Sequence, residues 1–194
     1  MNYIINQYFH EKICENASEK FTQGVEFFLS ELSFGLERKI MPYARIENLV
    51  CYNPYKRSID CEQTRNSFRN YFSYSSANKG AVNIFYLDKL MIFENEDMRV
   101  RTVAFVDKVL VKNNLPFLSN VFVNANYQDD ENIFLVLGMH EASHLFDLWH
   151  CSTEEVCILR DNRINYGNCL RYYNKNNEMP FCKEHLSKFM KLKC

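Results

Sequence analysis

His140, Glu141, His144 and His150 stand close together in the chain, as His-Glu-x-x-His followed by a third histidine six positions on. Residues four apart share one face of a helix, so His140 and His144 can hold one metal ion with Glu141 beside it. Two imidazoles alone leave an ion half held. A third ligand six residues after His144 must lie past the helix end, because a continuing helix would carry it about 9 Å further along the axis at roughly 1.5 Å per residue. The chain is therefore expected to turn back after Phe146. Three neutral imidazoles and one open position are the coordination of a catalytic zinc ion, whose bound water falls to a pKa of about 7 and becomes a usable nucleophile. Glu141 is then the expected general base. A chance match to the five-residue pattern is the bland alternative, and His150 with Cys151 directly after it weighs against chance.

A second group follows: Cys151, Cys157, Cys182 and His185, the last two forming a Cys-x-x-His pair. Three thiolates and one imidazole suit a closed structural zinc site, which needs four ligands at tetrahedral angles and no open position. Cys169 is the rival for the fourth place. Free cysteine is commonly a small core residue, and Cys14, Cys51, Cys61 and Cys194 are read that way. Two zinc ions per chain are thus expected, one catalytic and one structural.

At these residues the chain resembles the archaemetzincins, metalloproteases whose pattern joins HExxHxxGxxHC to further cysteines and a closing FCxxC. The resemblance covers roughly residues 130–190. It implies an α+β fold of zincin or metzincin type, with a small mixed sheet, an active-site helix and a zinc-stabilised C-terminal subdomain. It also implies catalytic zinc on His140, His144 and His150, with Glu141 as base. Structural zinc would lie on Cys151, Cys157 and Cys182, with His185 replacing the family's last cysteine. The substrate implied is a peptide or protein, docked by strand addition at the cleft, with 120–127 as the candidate strand.

Three positions depart from that pattern. Asp147 replaces the glycine that lets the chain reverse with positive φ; aspartate reaches that region at a cost of about 1 kcal/mol. Leu159 replaces the methionine of the family's Met-turn, a swap of similar volume that usually costs under about 1.5 kcal/mol. The spacings from Cys151 to Cys157 and from Leu159 to Cys182 are longer than the family's, as if a loop were inserted.

The elements that must position these groups are expected within one ordinary domain. The chain has 194 residues, of which 47% are hydrophobic. The expected organisation is a metzincin-like subdomain over 1–150, including the active-site helix, and a C-terminal subdomain over 151–194. Phe21, Val25, Phe28, Leu29 and Leu32 recur at helical spacing and predict an amphipathic helix over 19–36 that covers a sheet. Runs rich in β-formers at 82–93 and 120–127 predict strands, and 103–111 reads equally as strand or helix. Asp129 or Asp130 is the expected N-cap of the histidine helix, with Glu131 in its first turn. Gly138 within that helix costs about 1 kcal/mol relative to alanine, which points to close packing or a nearby ligand. A short final helix is expected over 183–191.

A net charge of -1 and a pI near 6.5 argue against bulk attraction to nucleic acid or anionic membranes. The N-terminal segment lacks the apolar core of a signal peptide, so a cytoplasmic protein with reduced cysteines is expected, without membrane partners. The stretch 53–80 mixes Lys56, Arg57, Arg65, Arg69 and Lys79 with Tyr55, Phe68, Tyr71, Phe72 and Tyr74. Such interleaving can bind single-stranded nucleic acid, but a surface loop and helix with inward aromatics is the favoured reading. His10 and Cys14 are read as structural. The leading expectation is a zinc metallopeptidase; the rival is a non-catalytic, zinc-stabilised binding module.

Overall fold

Whether an apolar residue recurs every second or every third to fourth position separates the strands from the helices here, and in the middle of the chain both patterns are partly masked by buried amides. The computed structural model describes residues 2–10, 13–72, 81–94, 99–112, 115–126, 130–152, 156–160 and 163–193. Its elements are mixed α and β, as expected. The helices are α1 (Glu15–Glu31), α2 (Cys61–Phe72), α3 (Ile133–His144), α4 (Arg163–Asn176) and α5 (Lys183–Leu192). The strands are β1 (Asn2–Phe9), β2 (Gly35–Met41), β3 (Tyr52–Asn53), β4 (Ser58–Asp60), β5 (Ala81–Leu87), β6 (Leu90–Glu94), β7 (Arg99–Thr102), β8 (Ala104–Lys112) and β9 (Leu115–Asn124). Among the described residues no helix is long and apolar enough to cross a membrane.

The chain divides into two compact units. One comprises 3–14 and 37–127; the other comprises 1–2, 15–36 and 128–194. The second unit therefore joins 151–194 to the histidine helix and to α1, where a boundary after residue 150 was expected.

In the first unit, a five-stranded sheet runs β2-β1-β5-β9-β8, and a four-stranded sheet runs β3-β4-β6-β7. β1, β5 and β9 are mutually parallel, and β8 returns antiparallel to β9. Tyr8, Phe85, Phe122 and Phe105 stack in a row across neighbouring strands, and Phe68 from α2 meets Phe85 and Phe122 edge-on at 4.5 and 4.9 Å. Beside this row, Asn6 donates to Asn83 at 2.9 Å and Asn83 to Asn120 at 3.1 Å. These buried amides pin the register, since a slip of one residue would send each to the opposite face. The run expected over 82–93 is two strands in different sheets, broken at Asp88 and Lys89. The ambiguous 103–111 is strand. β9, which covers most of 120–127, is paired on both sides by β5 and β8, so it has no edge to offer an extended substrate. Tyr127 lies outside the described residues.

α2 begins at Asp60, whose Oδ1 accepts from the Gln63 amide at 2.9 Å, as an N-cap should. Its basic residues are tied to acids: Arg65 to Glu62, and Arg69 to the buried Asp107. Lys56 pairs with Glu94. Phe68 points inward, and Lys79 and Tyr74 lie outside the described residues.

In the second unit α1 ends at Glu31, not at residue 36. The Ser33 amide reaches Ser30 O at 2.8 Å and the Phe34 amide reaches Leu29 O at 3.3 Å, with Ser33 at φ 63°. This double closure around a left-handed residue stops the helix and releases the chain into β2. The apolar face of α1 meets α3 within this unit. Phe28 packs on Phe146 and Phe189 at 5.6 and 5.3 Å.

The contact between α1 and α3 is set by two glycines. A Cβ on Gly24 would lie 2.0 Å from Leu135 O, and one on Gly138 would lie 2.1 Å from Phe21 O. Both obstacles are backbone, so neither can swing away. Gly138→Ala would gain about 1 kcal/mol of helix propensity but must push the helices apart, and overpacking of this kind costs about 1–3 kcal/mol or more. We expect Gly138→Ala to lower the thermal unfolding midpoint; a midpoint equal to or above wild type would refute this tight crossing.

Candidate metal centres

α3 is apolar nearly all round, and Val136 through His144 are buried without a break. A helix of that character lies in a core rather than on a surface. Its N-terminus falls at Asn132, not at Asp129 or Asp130. Asp130 instead caps the turn before it, accepting from the Asn132 amide at 3.0 Å and from its side chain at 2.9 Å. Asp129 lies outside the described residues.

The C-terminal end brings the third histidine back. Asp147 sits at φ 60°, its amide 3.3 Å from His144 O, while the Leu148 amide lies 3.3 Å from Ser143 O. This is the same closure that ends α1, with aspartate in the left-handed place that glycine usually fills. The reversal expected after Phe146 is present. It carries Trp149 and His150 back over the helix, and the three Nε2 atoms of His140, His144 and His150 converge at 3.0, 3.1 and 3.2 Å from one another.

Each of the two helical imidazoles is fixed in one tautomer. His140 Nδ1 lies 2.7 Å from Ile158 O, and His144 Nδ1 lies 2.7 Å from Leu148 O. A carbonyl can only accept, so both Nδ1 atoms carry hydrogen and both Nε2 atoms present lone pairs to the centre. The reversal at Asp147 thus both delivers His150 and orients His144. Tetrahedral zinc at about 2.05 Å from each nitrogen needs nitrogens roughly 3.3 Å apart, close to the observed spacing. His140 and His144 are buried, whereas His150 and Trp149 are exposed, so the group has a solvent-facing side. Glu141 is buried on α3 directly after His140. The Trp149 indole lies tilted by 31° against the His144 ring at 5.8 Å, and the Tyr166 ring on α4 meets His140 edge-on at 5.6 Å.

The second group is also assembled. The ligand atoms of Cys151, Cys157, Cys182 and His185 all lie within 4.8 Å of one another. His185 Nδ1 is 3.1 Å from Cys182 Sγ and 3.7 Å from Cys157 Sγ, around the roughly 3.6 Å expected between sulfur and nitrogen on one tetrahedral zinc. Cys182 is the N-cap residue of α5 and His185 lies in its first turn, which explains the Cys-x-x-His spacing. The final helix expected over 183–191 is present. Burial lowers the pKa of His185, with Lys188 adding to the effect, so its neutral, ligating form is favoured. Burial pushes the Cys157 thiol well up, against backbone amides of Cys182 and Leu159 that donate to it. A bound cation would reverse that balance in favour of the thiolate.

Cys169 lies outside this group. Its thiol is raised to about 12 by burial, and Asn165 hydrogen bonds to it. Leu159 is fully buried. Cys14, Cys51 and Cys61 belong to neither group.

One residue had no signal in sequence. Asn165, buried on α4, donates its side-chain amide to Cys157 O at 2.6 Å and to Arg160 O at 2.8 Å. It therefore clamps the loop that carries Ile158. An asparagine in a polar helix resembles any surface asparagine until the carbonyls it serves are known.

Two groups of side chains in this chain can therefore each hold a metal ion. The chain matches no protein-family model, no curated protein and no solved structure. With zinc in excess, we expect about two ions per chain in wild type and about one in His144→Ala and in Cys182→Ala. A wild type that binds only one ion, kept in His144→Ala and lost in Cys182→Ala, would mean that the histidines hold none.

Proposed function

We propose that this protein is a zinc-dependent metallopeptidase of metzincin type, acting on a peptide or protein. The observation that carries the reading is the histidine group: three convergent Nε2 atoms, two of them pinned by backbone carbonyls, with one solvent-facing side and a buried glutamate next to the first ligand. A closed structural site would have no need of that exposed face.

His140, His144 and His150 would hold the catalytic ion, and Cys151, Cys157, Cys182 and His185 the structural one. Zinc on three imidazoles supplies Lewis acidity toward a carbonyl and brings a bound water to a pKa of about 7. Glu141 takes a proton from the attacking water on its carboxylate and later gives it to the leaving amine. The Nδ1–H bonds of His140 and His144 keep both rings aimed while charge develops. Trp149 and Tyr166 give the neighbourhood an aromatic character suited to the apolar parts of a peptide.

The test is hydrolysis of a mixture of unstructured peptides read by mass spectrometry, with Glu141→Gln as control. We expect cleavage by the zinc-loaded wild type and a loss of about 10²-fold or more in Glu141→Gln, which should still bind two ions. A wild type that binds two ions yet cleaves nothing would favour the zinc-stabilised binding module.

A further inference from the structure

The two metal groups do not stand independently in the second unit. His150, a ligand of the first, is bonded directly to Cys151, a ligand of the second. The short loop that supplies Cys157 to the second group supplies, one residue later, the Ile158 carbonyl that accepts from His140 at 2.7 Å. The next carbonyl, Leu159 O, accepts the Cys151 amide at 3.0 Å. From the other direction, the His185 ring hydrogen bonds to the backbone of Trp149, between the ligands His144 and His150. The loop is held further by the Ile158 amide on Pro180 O at 2.7 Å and by the two bonds from Asn165.

We propose that the cysteine-rich site is the positioning element of the histidine site: loading it fixes the 157–160 loop, and the fixed loop holds His140 in its ligating orientation. Without an ion, nothing charged gathers Cys157, Cys182 and His185, whose attachments to one another are weak thiol contacts. The loop then depends on the bonds from Asn165, the Ile158 amide on Pro180 O and the Cys151 amide on Leu159 O. An imidazole whose Nδ1 partner wanders loses both its tautomer and its aim, and loss of such an outer partner commonly weakens metal binding 10- to 100-fold. Because binding free energies are linked, metal at the histidines must strengthen the cysteine-rich site by the same factor. Asn165 is in this account a positioning residue for both sites while touching neither ion.

The proposal rests on reading both groups as metal sites, and its test separates the two claims. Metal-free protein is titrated with Co²⁺ against a chelator. Cysteine-bound cobalt is followed by its thiolate charge-transfer absorption, and histidine-bound cobalt by its visible ligand-field bands. In Cys182→Ala, with circular dichroism confirming the fold, the affinity of the histidine site should fall about 10-fold or more. An affinity within about twofold of wild type would overturn the proposal. If Cys182→Ala does not fold, Asn165→Ala decides: all seven ligands remain, and the histidine site should again weaken about 10-fold, whereas unchanged affinity would overturn it. A wild type that takes up only thiolate-bound cobalt would remove the reading of the histidines as ligands, and the coupling with it.

Discussion

Imidazoles that turn lone pairs toward one another do not gather by attraction. The Nε2 atoms of His140 and His144, 3.0 Å apart, face each other with no hydrogen between them. What holds them is the backbone: Ile158 O and Leu148 O accept from the Nδ1 atoms of His140 and His144, and the left-handed Asp147 turns the chain so that both Leu148 and His150 arrive where they are needed. The fold thus prepares a cation site in advance, at the expense of positions that would be more comfortable for an empty protein. Much in the second unit serves that constraint. α3 must be rigid, so it is buried all round and locked to α1 through facing glycines. The 157–160 loop must be rigid, so it is clamped by Asn165 and shared with the cysteine-rich group.

The site was more legible in the sequence than the scaffold, and for a physical reason. Metal ligands must be chemically specific residues, and helix geometry fixes their spacing, so His140, His144 and the Cys182–His185 pair announce themselves. His150 was placed beyond a reversal because no straight helix could deliver it. Position 147 was marked as the reversal point by the resemblance, which has glycine there, and aspartate tolerates positive φ. The orienting groups left no trace, since carbonyls are the same on every residue. Ile158 and Leu148 could not be told from any apolar neighbour, and Asn165 could not be told from a solvent-facing amide.

The sheets were harder to read because their strands break the simple alternation. β1 carries the buried Asn6 and Gln7 among its apolar residues, and β2 is a largely exposed edge strand with Glu37, Arg38 and Lys39. Charge on an edge discourages pairing with another chain, and it also hides the strand from a pattern search. The run over 82–93 concealed a change of sheet at Asp88 and Lys89. α1 was found but drawn too long, because Phe34 and Leu36 continue the apolar periodicity past Ser33, where the backbone has already left the helix.

Zinc-edge X-ray absorption on protein loaded with two zinc ions addresses the central claim directly, since it reads the donor atoms themselves. The account predicts an average of about one and a half sulfurs per zinc near 2.3 Å and about two and a half nitrogen or oxygen neighbours at 2.0–2.1 Å, with imidazole scattering beyond. A spectrum with sulfur coordination alone, or one without imidazole scattering, would contradict the assignment of a separate histidine site.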